Sequence, residues 1–288
     1  LPGYAQIFHR LTVLLAALTI IDAKISGLLD SRTSLGAPAS CRHQLKSGAI
    51  NMHGVVNATR ETIKIKSADG QEFSGFLARP ESGTGPGLLL IQEIFGVNSH
   101  IRDVADLYAR EGFVVLAPDV FWRSEPGMQL GYSAAEVEKG IAIVQKSDFK
   151  LILSDLAEAI STLHHLPGVQ DKVGAVGYCM GGNLTYRLAA EGKIDAGVSY
   201  YGGGIDQLLD QASNIKCPLI MNFAEVDDYI PLEAIKKIEK AFEKHDKVTI
   251  YTYPGVHHGF NCDQRASYDR KSAMLAYSRS AAFFHKYL

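Results

Sequence analysis

The chain has little cysteine, a single tryptophan and no excess of either charge. Its 288 residues carry only four cysteines, Cys41, Cys179, Cys217 and Cys262, far apart and in no paired spacing. This excludes a disulfide framework and a zinc-finger pattern, and it points to thiols in a reducing compartment, with the cytoplasm as the expected location. Lys and Arg number 29 against 31 Asp and Glu, for a net charge of −2. A general nucleic-acid binder would show a basic excess from its phosphate contacts, so no such partner is expected. Long apolar runs are also missing. The run LTVLLAALTII at 11–21 has eleven residues, where about 20 are needed to cross a bilayer, so no membrane association is expected either. No internal repeat is visible. What remains is an ordinary globular balance, 47% hydrophobic and 21% charged, in a chain long enough to bury a core without staples.

The first 57 residues do not share the pattern of the rest. The run at 11–21 follows Arg10 and reads as a signal-peptide apolar region, as a loosely docked amphipathic helix, or as sequence upstream of the functional domain. An Ala-x-Ala stretch, Ala37 to Ala39, stands well beyond that run. Residues 31–57 are rich in small and polar types and read as a linker. The expected division is therefore an extension over 1–57 and one domain over 58–288.

From residue 58 onward, strand and helix patterns alternate. RETIKIK at 60–66 and EFSGFLA at 72–78, joined by Ala68-Asp69-Gly70, predict a β-hairpin. Short apolar runs follow at 87–92, 113–118, 173–178, 196–201, 218–223 and 248–253. Runs of that length fit strands buried on both faces, as in a parallel sheet. Helix-period stretches lie between and after them, at 100–111, 134–146, 149–165, 182–191, 231–244 and 268–287, with Pro231 in a first turn. The expected fold is α/β: an open, mostly parallel eight-stranded sheet with helices on both faces. Chemistry in such sheets sits at the carboxyl ends of the strands.

Those ends carry reactive residues. VGAVGY runs into Cys179 within Gly177-Tyr178-Cys179-Met180-Gly181-Gly182, a G-x-S-x-G elbow with Cys replacing Ser. The following helix would point its positive N-terminus at the thiol and favour thiolate. The same pattern also suits a small buried Cys packed where strand meets helix. PLIMNF leads to Asp227 and Asp228, either of which could orient an imidazole or cap the next helix. VTIYTY leads to His257-His258-Gly259-Phe260, where a general base would sit; no further metal ligand stands at a recognisable spacing. GLLLIQ leads to Glu93 and Ile94. Glu93 at a buried strand end needs a partner, either a structural Arg or a role at the thiol. The order nucleophile, acid, histidine is that of the α/β-hydrolases, in which the backbone N–H groups of Ile94 and Met180 would form the oxyanion hole.

Taken together, QEIFGVN at 92–98, PDVFWR at 118–123, GYCMGG at 177–182, Asp-x-x-x-Pro at 227–231 and His-Gly-Phe at 258–260 resemble the dienelactone hydrolase (carboxymethylenebutenolidase) family over roughly 58–288. The resemblance implies a Cys-His-Asp triad that opens an enol-lactone through an acyl-thioester. Cys179 would be the nucleophile, His258 the base, Asp227 the acid, and Glu93 the carboxylate that engages the thiol. It also implies arginines that grip a substrate carboxylate. Arg123 matches one, and Trp122 beside it is expected to line the substrate pocket. The second belongs four residues after the histidine, where this chain has Cys262; Arg265, three residues further on, is expected to take its place from the loop. No metal or organic cofactor is implied, the partner is a small ester or lactone, and the oligomeric state is left open, a monomer being compatible. Two alternatives are a general small-ester carboxylesterase and a catalytically idle binding protein on the same fold. A nucleotide-binding protein is disfavoured, because neither Gly-rich phosphate loop follows these strands.

Overall fold

The alternation of apolar runs and helix-period stretches folds into one open sheet. The computed structural model describes residues 58–288; the linker and signal-peptide readings of 1–57 lie outside the described residues. The strands are β1 (Thr59–Lys66), β2 (Glu72–Arg79), β3 (Gly85–Ile91), β4 (Val114–Pro118), β5 (Val169–Tyr178), β6 (Ala196–Tyr200), β7 (Leu219–Ala224) and β8 (Val248–Tyr253). The helices are α1 (Ser99–Arg110), α2 (Ala134–Lys146), α3 (Phe149–His165), α4 (Met180–Ala190), α5 (Leu232–Phe242) and α6 (Arg270–Tyr287). The sheet order is β1-β2-β4-β3-β5-β6-β7-β8. The β1–β2 and β2–β4 pairs are antiparallel and the others parallel. Among the described residues no helix is long and apolar enough to cross a membrane.

Side-chain chemistry sets the element ends. Asn98 caps α1 by accepting from the Ile101 N–H, Ser133 and Glu136 form a reciprocal capping box on α2, and Asp148 caps α3. Every residue of β4, β6 and β7 is buried, as expected of continuous apolar runs covered on both faces. The run at 248–253 differs. As β8 it lies at the sheet edge beside β7 alone, and most of it is partly exposed. Strand β5 starts earlier than its apolar run, because Gly85 pairs with Val169 across a register shift. Pro231 stands just outside α5 as its N-cap, and Leu232 is the first helical residue.

The topology brings the ends of β3, β5, β6, β7 and β8 to one side of the sheet. Helix α4 packs on β5 and β6, and its first turn is pressed against the end of β3. A Cβ on Gly181 would meet the Ile91 carbonyl oxygen at 2.2 Å, a distance no side chain tolerates. Gly181→Ala should therefore lower unfolding free energy by about 3 kcal/mol. Urea titration of both proteins checks this; an unchanged midpoint would show that the helix can move off β3 without penalty.

Candidate active site

The turn at Cys179 is a single residue. Tyr178 ends β5, Met180 begins α4, and Cys179 takes φ 54° and ψ −114°. A non-glycine residue held there costs on the order of 1–3 kcal/mol, which surrounding bonds must offset. The Cys179 N–H donates to the Tyr200 carbonyl at 3.0 Å, and its own carbonyl accepts from Gly182 at 3.0 Å and Asn183 at 3.2 Å. The thiol is partly exposed at the head of α4. The Met180 N–H belongs to the first turn, where no intrahelical acceptor exists. The other described thiols are poorly suited to attack. Burial pushes Cys217 up to about 11, and burial with the nearby Glu93 charge pushes Cys262 up to about 12.

Asp227 and His258 meet beside this turn. The His258 Nδ1 lies 2.8 Å from Asp227 Oδ2, and both side chains are essentially buried. The second carboxylate oxygen accepts from the Tyr229 N–H at 2.8 Å and the Ile230 N–H at 3.1 Å. It is thus Asp227, rather than Asp228, that reaches the imidazole, and the same carboxylate organises the loop before α5. The rings of Tyr201 and Tyr229 flank the imidazole at 4.9 and 4.8 Å. Burial works against a charged ring, but the Asp227 carboxylate and the Cys179 sulfur outweigh it and push His258 up to about 10. Its Nε2 is buried and has no hydrogen-bond partner within bonding distance.

Glu93 is 1% exposed, and its Oε1 accepts from Arg265 Nη1 at 3.2 Å. Its Oε2 is buried without a hydrogen-bond partner. Of the two readings open from the sequence, the arginine partner is the one seen; among the described residues no hydrogen bond joins Glu93 to Cys179. The Arg265 guanidinium also lies 5.8 Å from the ring centres of Phe95 and Tyr132. Gly259 makes room for it, since a Cβ there would stand 2.4 Å from Arg265 Nη1. Arg265 lies close enough to Cys179 for a charge on the sulfur to act on it. Ile94 follows Glu93 off the end of β3, the strand against which α4 begins.

Arg123 and Trp122 are not brought to this cluster. Arg123 donates to both Asp155 oxygens at 2.9 and 2.8 Å and to Asp69 at 2.7 Å, and it lies over the Trp122 ring. Trp122 donates its indole N–H to Asp155 at 2.8 Å and stacks on Phe73. Asp155 is buried on α3 and needs a cation. Arg123 supplies it, and Arg123 and Trp122, the pair expected to meet the substrate, are both held in this network. Among the described residues, no bond or ring contact links the pair to Cys179, His258, Asp227, Glu93 or Arg265. Tyr201 and Tyr229 were missed from the sequence. Tyr201 ends the run at 196–201, so the rule of reading strand ends could have found it; Tyr229 had no such signal.

The sequence profile of the Dienelactone hydrolase family matches residues 73–288. The chain belongs to the dienelactone hydrolase family. It is a hydrolase acting on esters or lactones. A Pseudomonas putida protein named carboxymethylenebutenolidase is 30% identical, over 77% of this chain and 95% of its own. An Azospirillum brasilense protein, provisionally given the same name, is 37% identical over 78% of this chain and 98% of its own. A Klebsiella pneumoniae crystal structure, provisionally titled a dienelactone hydrolase, superposes with a TM-score of 0.69 at 27% identity. It covers 80% of this chain and 100% of that one.

The raised His258 pKa carries a stability consequence. A group held at about 10 when folded and 6.5 when exposed contributes its full stabilisation below pH 6.5 and loses it as pH rises toward 10. The unfolding temperature of the wild type minus that of His258→Gln should shrink across that interval. A difference that grows with pH would show that the folded imidazole is not held charged.

Proposed function

We propose that this hydrolase opens enol-lactones, or cleaves activated esters, by nucleophilic attack of Cys179 with His258 and Asp227 as its partners. The observation that carries the reading is the buried Asp227–His258 pair at 2.8 Å, with the second imidazole nitrogen unpartnered and electrostatically coupled to the Cys179 sulfur. An orienting carboxylate, an imidazole and a nucleophile on a strained turn at a helix N-terminus are the elements such catalysis needs.

In this scheme the Glu93–Arg265 pair holds the carboxylate away from the thiol at rest. An anionic substrate takes the guanidinium, in the bidentate manner that suits arginine. The released Glu93 accepts the Cys179 proton, and the thiolate forms beside the charged imidazole. Sulfur adds to the carbonyl carbon, and the oxyanion rests on the Ile94 and Met180 N–H groups. The ring C–O bond breaks, and the departing enolate takes the imidazolium proton. The sulfur is now a neutral thioester, so one of the charges raising His258 is gone and the ring is a better base. It takes a proton from water, hydroxide adds to the thioester, the C–S bond breaks, and the thiolate returns. An enolate leaves more readily than an amine, which favours lactones and activated esters over peptides.

The test is ring-opening of dienelactone, followed by loss of ultraviolet absorbance, beside cleavage of p-nitrophenyl acetate. Cys179→Ala should lose at least about 10⁴-fold in kcat. Asp227→Asn should lose about 10³-fold or more, and Asp228→Asn far less. Glu93→Gln should lower kcat and leave the fold intact. Cleavage of the simple ester alone, dependent on Cys179, would favour a small-ester carboxylesterase. Activity on both substrates that survives Cys179→Ala would falsify the nucleophile assignment, and no turnover of either substrate would favour an idle binding protein.

A further inference from the structure

A second group of ligating side chains lies outside the Cys179 cluster and takes no part in the scheme above. His100, in the first turn of α1, meets Cys262 and Asp263 from the loop that follows His258. One donor atom from each lies within 4.8 Å of the other two. His100 Nδ1 is 3.4 Å from Asp263 Oδ1, and Cys262 is completely buried. The imidazole side chain is 4% exposed, and its Nε2 is buried with no hydrogen-bond partner.

We infer that His100, Cys262 and Asp263 form a three-ligand site for a thiophilic divalent cation, zinc in the first instance. The spacing and donor types support this. Bonds of about 2.1 Å to nitrogen and oxygen place two donors of a tetrahedral ion about 3.4 Å apart, with slightly more to sulfur. The His100 Nδ1–Asp263 Oδ1 separation already has that value, and the Cys262 thiol lies within 4.8 Å of both donors. A thiolate and an imidazole select zinc or cobalt over magnesium or calcium, which prefer oxygen. Asp263 is 63% exposed, so an ion can enter from solvent and keep a water as fourth ligand. On binding, the Cys262 S–H bond gives way to a sulfur–metal bond and the proton passes to solvent. The site is distinct from the proposed nucleophile but near it, since the Arg265 N–H donates to the Cys262 carbonyl at 3.1 Å.

The test uses the full chain carrying Cys179→Ala, so that the Cys179–His258 pair cannot bind metal. Chelator-treated protein is titrated with Co²⁺ and then with Zn²⁺. One Co²⁺ per chain should give a near-ultraviolet thiolate-to-cobalt band with the strong visible absorption of four-coordinate cobalt, and Zn²⁺ should abolish both. Cys262→Ser should remove the thiolate band. His100→Gln and Asp263→Asn should each weaken cobalt binding by at least about tenfold. Asp263 is exposed, so its variant keeps the fold, and circular dichroism verifies this for all three. Absence of a thiolate band in the Cys179→Ala protein, or a band that persists in Cys262→Ser, overturns the assignment.

Discussion

The site depends on one backbone constraint: a chain leaving a buried parallel strand and entering a helix within one residue. Cys179 can hold its positive φ because its N–H and C=O are both occupied, by the Tyr200 carbonyl and the first turn of α4. That bonding requires β6 to lie beside β5, and it requires Gly181 to nest against the β3 carbonyls. The sheet order thus does more than stack apolar surface. It places a carbonyl from one neighbouring strand and the end of another on either side of the turn, and their packing lifts the sulfur out of the core at the positive end of a helix.

Buried charge is the second organising term. Glu93, Asp155 and Asp227 are all acids taken out of water, and each has found a cationic or proton-bearing partner: Arg265, Arg123 and His258. Breaking such a pair would leave an uncompensated buried charge, so the partners are strongly tied to one another. The three pairs differ in what remains free. Arg123 spends its donors on Asp155 and Asp69, and its face on Trp122. Arg265 makes one hydrogen bond to Glu93, which leaves guanidinium N–H groups available, and Glu93 retains an unpartnered oxygen. His258 keeps Nε2. The pairs with the most spare capacity lie near Cys179; the Arg123–Asp155 pair ties α3 to the β1–β2 turn through Asp69.

This difference explains which parts were legible in the sequence. Strands and helices were readable from apolar periodicity, because burial on two faces leaves a continuous run and burial on one leaves a period. The strand ends then pointed to Glu93, Cys179, Asp227 and His258, because a sheet with crossovers sends its loops to one side. Partnership was not legible in this way. Asp155 lies in the middle of α3, 32 residues from Arg123, and no local pattern marks it as the acid that claims that arginine. Asp227 and Asp228 are adjacent, and only the turn taken at Tyr229 and Ile230 decides which one faces the imidazole. His100 and Cys262 are more than 160 residues apart, so their proximity is a product of topology alone.

Arg265 shows how a loop can deliver a side chain from an unexpected position. The family resemblance places an arginine four residues after the histidine, where this chain has Cys262. A guanidinium nevertheless reaches Glu93 because two successive tight turns fold the loop back. The Cys262 N–H donates to the Gly259 carbonyl at 2.9 Å, and the Arg265 N–H donates to the Cys262 carbonyl at 3.1 Å. Each turn advances three residues while reversing direction, which returns Arg265 over Gly259, and only glycine leaves space for the guanidinium there. The loop therefore keeps the charge near Glu93 and spends the intervening position on a buried thiol instead of a cation. The longer path of the arginine leaves it with one hydrogen bond to Glu93, where Arg123 makes two to Asp155 and one to Asp69.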